Sequence, residues 1–166
     1  MINHVYGLAV RAIIIDDNEK ILIIKRSANS KTNPNKWELP GGKVETNETF
    51  DQALIREVFE ETNLKINLDN VAGVSEQDLH LIRAVHIIMF GNIIEGELKL
   101  SSEHDGYAWV NFDDLLDYPL ADWFKSFITH EQALENNDRD KNDTAEKMKP
   151  IIKTLKKSID NVQKKI

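Results

Sequence analysis

The 166 residues contain no cysteine, which excludes disulfide frameworks, zinc-thiolate centres and thiol nucleophiles and leaves the compartment unmarked by redox chemistry. Positive charge is also short. Lys and Arg number 21 against 28 Asp and Glu, a net charge of −7 with a pI near 5.2. That balance argues against neutralising the phosphates of a nucleic-acid polymer, while a few local cations or a metal ion would still hold a free nucleotide. No run of 18 apolar residues occurs, and the start MINHVYGLAVRAIIIDD lacks a basic segment followed by an unbroken apolar one. No membrane partner is expected, and a cytoplasmic protein is the simplest reading. H-E-x-x-H, G-x-S-x-G, Walker A and G-x-G-x-x-G patterns are all missing.

What is present suits a folded domain. Hydrophobic residues make up 41% and charged residues 30%, and a chain of this size buries about two-thirds of its unfolded surface. Charge is uneven along it: residues 139–166 hold 9 Lys/Arg and 4 Asp/Glu, net +5, leaving 12 and 24, net −12, in residues 1–138. Glu135 to Thr144 has no apolar side chain and reads as a solvated linker. The expected organisation is one main domain over 1–138, then the linker and a basic tail over 139–166. In that tail Ile151, Ile152, Leu155, Ile159, Val162 and Ile166 recur at helical spacing after Pro150. Packing on its own domain or in a homodimer is the simpler reading of such a helix; docking on a partner or an anionic surface is the alternative.

Val5 to Ile15 and Lys20 to Ile24 are β-branched runs separated by Asp16, Asp17 and Asn18, a hairpin signal. Ser27 to Lys36 reads as loop. After Pro40-Gly41-Gly42, Thr46 or Asn47 is expected to cap a helix over Glu48 to Thr62, with Asn63 ending it. Strands are expected near Val71 to Gln77, Leu81 to Phe90 and Ala108 to Val110, a short helix at Asp113 to Leu116 and a longer one over Leu120 to Leu134. Strands and helices mix without regular βαβ alternation, so the fold class is α+β with a mixed sheet.

The helix over Glu48 to Thr62 carries an unusual load. Leu54, Ile55, Val58 and Phe59 form its apolar side, while Glu57, Glu60 and Glu61 fall within a sector of about 100°. Like charges at these spacings destabilise a helix, more so near its C-terminus, where the macrodipole disfavours anions. A hard divalent cation offsets the arrangement, because Mg²⁺ prefers carboxylate and carbonyl oxygens and keeps waters that a phosphate can displace. An ordinary solvated face is the alternative for a Glu-Glu pair alone. Gly41 and Gly42 allow close backbone approach, so a carbonyl there is placed to complete a metal shell. Arg56 is positioned to orient a carboxylate or pair with Glu48.

Together, Gly42, five residues, Glu48, seven residues, then Arg56-Glu57-Val58-Phe59-Glu60-Glu61-Thr62-Asn63-Leu64 resembles the Nudix box, G-x5-E-x7-R-E-U-x-E-E-x-G-U. Only Asn63 departs, standing where the family has Gly. Asn is the next best residue for the left-handed conformation at a helix C-terminus, so the change is mild. The resemblance implies an α/β/α sandwich with a mixed sheet. It also implies a Mg²⁺-dependent (or Mn²⁺-dependent) hydrolase acting on a nucleoside diphosphate linked to another moiety, a small-molecule nucleotide substrate. Carried over to this chain, Glu57, Glu60 and Glu61 are the metal ligands with the Gly41 carbonyl as a further one, and Arg56 with Glu48 orients them.

The general base remains open between the box carboxylates and Glu103, which stands six residues before Trp109, as in the MutT-like branch. Similarity to that branch also marks Arg26 as a phosphate or sugar contact and Asp122 as reader of a base edge, helix capping being the alternative for Asp122. The implied reaction converts a nucleoside triphosphate, in a canonical, deoxy or oxidised form, to monophosphate and pyrophosphate. Alternatives are a pyrophosphatase for a nucleotide sugar, ADP-ribose or a dinucleotide, and a non-catalytic nucleotide sensor. Members acting on ADP-ribose usually have Pro where this chain has Asp78, and those acting on dinucleotides tend to have Tyr where it has His80. Sensors tend to have lost box glutamates, and this chain keeps them. Of the five histidines only His104 stands out, because it adjoins Glu103.

Overall fold

The computed structural model describes residues 5–139. Its elements are β1 (Val5–Ile14), β2 (Ile21–Arg26), β3 (Trp37–Glu38), β4 (Gly41–Lys43), α1 (Phe50–Thr62), β5 (Lys65–Leu79), β6 (Ile82–Glu95), β7 (His104–Val110), a 3₁₀ turn (Phe112–Asp117) and α2 (Asp122–Arg139). The chain divides into two compact units at Phe127. The first holds every strand, α1 and the opening of α2. Among the described residues the second consists of the rest of α2.

One sheet runs β4-β1-β6-β5 and the other β3-β2-β7. The first is mixed: β1 pairs in parallel with β6 from Val5↔Ile82 to Ile14↔Gly91 and antiparallel with β4, and β5 and β6 form an antiparallel ribbon. This is the α+β architecture with a mixed sheet and flanking helices that the sequence led us to expect. Strand β1 is buried on both faces from Ala9 to Ile14, which suits its place inside the sheet. By the two-residue period, Val10, Ala12 and Ile14 enter a core with Leu22, Ala53, Leu54, Val58, Leu64, Ile66 and Met89, beneath α1. Arg11 therefore points to the opposite face, where Trp123 of α2 lies.

Several local expectations are corrected. β1 and β2 are not a ladder-paired hairpin; they belong to different sheets and meet through the bridge Ile15↔Ile21 and the Asp16 amide donating to the Lys20 carbonyl at 2.9 Å. The Asp16 turn does reverse the chain, its Oδ1 accepting from the amides of Asn18 (2.9 Å) and Lys20 (2.8 Å), but reversal does not dictate ladder pairing. Helix α1 is capped by Thr49 rather than Thr46 or Asn47, with the Thr49 amide donating to Gln52 Oε1 at 3.1 Å, half of a capping box. Its buried side is Ala53, Leu54, Val58, Glu61 and Thr62, whereas Ile55 and Phe59 are exposed. Asn63 ends it as expected, at φ 59° and ψ 13°, its amide donating to the Phe59 carbonyl at 2.8 Å.

The strands near Val71 and Leu81 extend to 15 and 14 residues. Helix α2 continues through Arg139, so Glu135 to Asp138, read as linker, is helical. The amphipathic tail lies outside the described residues. No helix among them is long and apolar enough to cross a membrane.

Candidate active site

The segment Trp37–Lys43 crosses from one sheet to the other. Glu38 pairs with Ile24 on β2, and three residues later Gly41 pairs with Arg11 on β1. The crossing passes so close to β1 that Gly41 takes φ +139°, and a Cβ there would lie 2.1 Å from the Val10 carbonyl. Only glycine fits. A Cβ on Gly42 would meet the Glu57 carboxyl carbon at 2.4 Å, so the box glutamate is packed directly on this backbone.

Around that crossing the structure assembles Glu48, Arg56, Glu57, Glu60, Glu61 and Gly41. Arg56 donates to Glu48 through Nη2 (2.7 Å) and Nε (3.0 Å), a bidentate pair, and to Glu60 Oε2 at 3.2 Å; its Nη1 lies 3.1 Å from Glu57 Oε1. Its hydrogen bonds hold Glu48 below the usual carboxylate range. Glu61 is buried and accepts from the Gly41 amide at 2.8 Å through Oε2, while Oε1 stands 3.8 Å from His104 Nε2. Burial pushes Glu61 up to about 8 despite Arg11 and that hydrogen bond, with Glu38 and Glu57 adding repulsion. Burial likewise raises Glu57, against the pull of Arg56.

A hard divalent cation suits this donor set, which is all oxygen and carries two carboxylates whose ionisation burial and mutual repulsion oppose. As placed, no three His, Asp or Glu side chains among the described residues converge on one ion position. Arg56 draws Glu60 to its own side, and Glu60 is exposed enough to swing. The Gly41 carbonyl accepts from Arg11 Nη1 at 3.3 Å and keeps a second lone pair.

The remaining expected residues lie nearby on other elements. Arg26 ends β2 and is held internally, donating to Glu38 Oε1 at 3.0 Å and Ser30 Oγ at 2.8 Å. Glu103 is exposed just before β7, its carbonyl accepting from the Ser27 amide at 2.9 Å. Asp122 is exposed at the first residue of α2, which starts beside β3, where the Ala121 amide donates to the Trp37 carbonyl at 2.9 Å.

A buried polar cluster behind the crossing was not anticipated: Arg11, Glu38, His86 and Trp123, with His104 at its edge. Arg11 and Arg26 both reach Glu38 Oε1, at 3.3 and 3.0 Å, and Glu38 is fully buried. Burial alone would raise Glu38, but the two guanidiniums outweigh it and hold it down. Arg11 Nε donates to His86 Nδ1 at 3.4 Å, and the His86 ring stacks on Trp123 at 4.3 Å and 9°. Burial and then Arg11 push His86 down to about 3, so it is neutral. Burial also lowers His104, leaving a neutral imidazole beside Glu61. The signal in the sequence was an Arg and a Glu set inside the apolar runs Ala-Val-Arg-Ala-Ile and Trp-Glu-Leu.

Gly42→Ala separates site from fold. Its backbone tolerates Ala and the clash falls on a side-chain end, so the melting temperature should drop by less than about 3 °C. Turnover should fall about 10- to 100-fold as Glu57 is displaced. Paired melts and initial rates check this, and unchanged turnover would show that Glu57 has no need of its place.

A carboxylate-rich helix packed on a diglycine crossing between two sheets defines a class of hydrolase site, and comparison with known proteins agrees. Residues 5–130 match the NUDIX domain, and the chain belongs to that family. It is 34% identical over 119 residues to the CTP pyrophosphohydrolase of Escherichia coli, covering 69% of this chain and 83% of that one. It is 39% identical over 143 residues to the ADP-ribose pyrophosphatase of Methanocaldococcus jannaschii, covering 82% and 75%. The crystal structure of the MutT protein from Methanosarcina mazei superposes with a TM-score of 0.74 at 32% identity, covering 81% of this chain and 99% of that one. The protein is thus a Nudix hydrolase acting on pyrophosphate bonds.

Proposed function

We propose that this chain hydrolyses a nucleoside triphosphate to monophosphate and pyrophosphate with Mg²⁺ or Mn²⁺. The observation that carries the reading is the seating of Glu57 and Glu61 against the Gly41-Gly42 backbone, with Arg56 and Glu48 bracing the helix beside them. Glu57, Glu60, Glu61 and the Gly41 carbonyl would hold the ion. When bound, it supplies charge neutralisation at the phosphates and a more acidic water.

The protein's own groups do the rest. Arg56 pairs with Glu57 and Glu60 and fixes where their carboxylates stand. Glu103 is the candidate to take the proton of the attacking water, and it adjoins His104, which faces Glu61 as a neutral imidazole. Arg26 meets phosphate or sugar, exchanging part of its bond to Glu38, and Asp122 accepts from N–H groups of a base edge beside β3. Relatives named MutT and CTP pyrophosphohydrolase support the triphosphate. The relative named ADP-ribose pyrophosphatase, at 39% identity, favours a second reading in which another nucleoside diphosphate is cleaved.

The test is product release with Mg²⁺ across canonical and oxidised triphosphates, ADP-ribose, nucleotide sugars and dinucleotides, with Glu57→Gln as blank and Asp122→Ala in parallel. Pyrophosphate from a triphosphate supports the first reading, and two monophosphate products from a diphosphate support the second. Metal-dependent binding without turnover would mean a sensor. Asp122→Ala should relax base preference at least about tenfold more than it lowers overall hydrolysis, a base-edge contact being worth about 1–3 kcal/mol. Unchanged preference removes Asp122 from the site.

A further inference from the structure

We propose that Arg11 is a positioning residue: its guanidinium fixes the backbone of the Leu39-Pro40-Gly41 crossing and, through the Gly41 amide, sets where the Glu61 carboxylate stands. This rests on the hydrolase reading of that site. Arg11 Nη1 donates to the carbonyls of Leu39 at 3.2 Å and Gly41 at 3.3 Å, the two that flank the Pro40–Gly41 peptide. The peptide between them is held from both ends, its Pro40 carbonyl accepting from the Ala12 amide at 2.8 Å and its Gly41 amide donating to Glu61 at 2.8 Å. Consecutive residues of β1, Arg11 by side chain and Ala12 by backbone, thus clamp one peptide whose N–H points at the carboxylate.

Arg11 is itself locked. Its Nε reaches His86, its guanidinium carbon lies 4.9 Å from the centre of the Trp123 ring, and the residue is 7% exposed. Neutralising Glu38 does not account for it alone, because Arg26 binds the same oxygen at 3.0 Å. A lysine in its place would supply charge without the Nε donor that reaches His86 or the planar face that lies on the Trp123 ring.

The experiment is a double-mutant cycle on the full chain with Arg11→Gln and Glu61→Gln, read as kcat and KM, together with Gly41 amide exchange by NMR. Arg11→Gln should lower kcat about 100-fold with KM changed less than about threefold, and speed Gly41 exchange at least about tenfold. In the Glu61→Gln background the same change should cost less than about threefold, because both act through one carboxylate. Additive losses would overturn the inference while leaving the hydrolase reading intact. Full turnover in Glu61→Gln alone would overturn both. If Arg11→Gln does not fold, Arg11→Lys decides: a folded protein with at most about a tenth of the turnover and a faster-exchanging Gly41 supports the clamp, and normal values for both refute it.

Discussion

Glu61→Gln should lower turnover by about 10²- to 10⁴-fold and, in the same protein, raise stability at alkaline pH. The first effect follows from removing a carboxylate at the Gly41 amide where a cation and phosphate are proposed to meet. The second follows from linkage. Burial raises Glu61 from 4.5 to about 8, so the native state holds this proton more tightly than the unfolded chain does. Its favourable contribution is complete below about pH 4.5 and is lost as pH climbs to about 8. Gln escapes that loss, which is on the order of a few kcal/mol above pH 8. Melts between about pH 5 and 9 in chelator should show the parent falling below the variant as pH rises. Coincident curves would mean that Glu61 ionises freely, and near-normal turnover would remove it from the site. Added Mg²⁺ should restore the parent selectively, since a ligand bound only by the native state stabilises it.

Glu38→Leu should cost about 3–5 kcal/mol, the usual consequence of leaving buried charges without their partner. Here the orphans are two guanidiniums, Arg11 and Arg26, which share one oxygen of a fully buried carboxylate. The melting temperature should fall by about 10 °C or more, and urea unfolding should give the same ranking. A loss below about 2 °C would show that the cluster is neutralised by other means. The pH dependence opposes that of Glu61: a depressed carboxylate stabilises above its unfolded value near 4.5, and the contribution fades as pH falls through its native value. The two carboxylates therefore favour a stability maximum between them.

What was legible in the sequence was local. Helix α1, its left-handed Asn63 terminus and the clustering of Glu57, Glu60 and Glu61 depend on spacings of three and four residues, and the box resemblance added roles to positions already conspicuous. The cap lies two or three residues beyond the expected Asn47 or Thr46 because Thr46, Asn47 and Thr49 all carry capping side chains, and the choice fell to Gln52, whose side chain reaches the Thr49 amide. Strands β3 and β4 were invisible, since two or three residues around Pro40-Gly41 have no period and become strands only by pairing with β2 and β1. Ile55 and Phe59 match helical spacing as well as Leu54 and Val58 do, and only the placement of the sheet decides which pair is covered. Nor does any pattern connect Arg11 with His86, 75 residues away.

That separation also bears on how the chain reaches its native state. The ten-residue parallel ladder between β1 and β6 closes a loop of most of the first unit, and its entropic cost falls due before its contacts repay it. The ribbon of β5 and β6, whose strands are joined by a tight turn, forms without such a penalty. Docking of β1 on β6, which brings Arg11 to His86, is therefore expected to follow the ribbon. A nascent chain that ends before β6 presents β1 with one of its two eventual ladders absent and its apolar side chains uncovered, and such a strand is a template for aggregation. The His86 contact that locks Arg11 behind the glutamates is thereby expected to wait for that pairing.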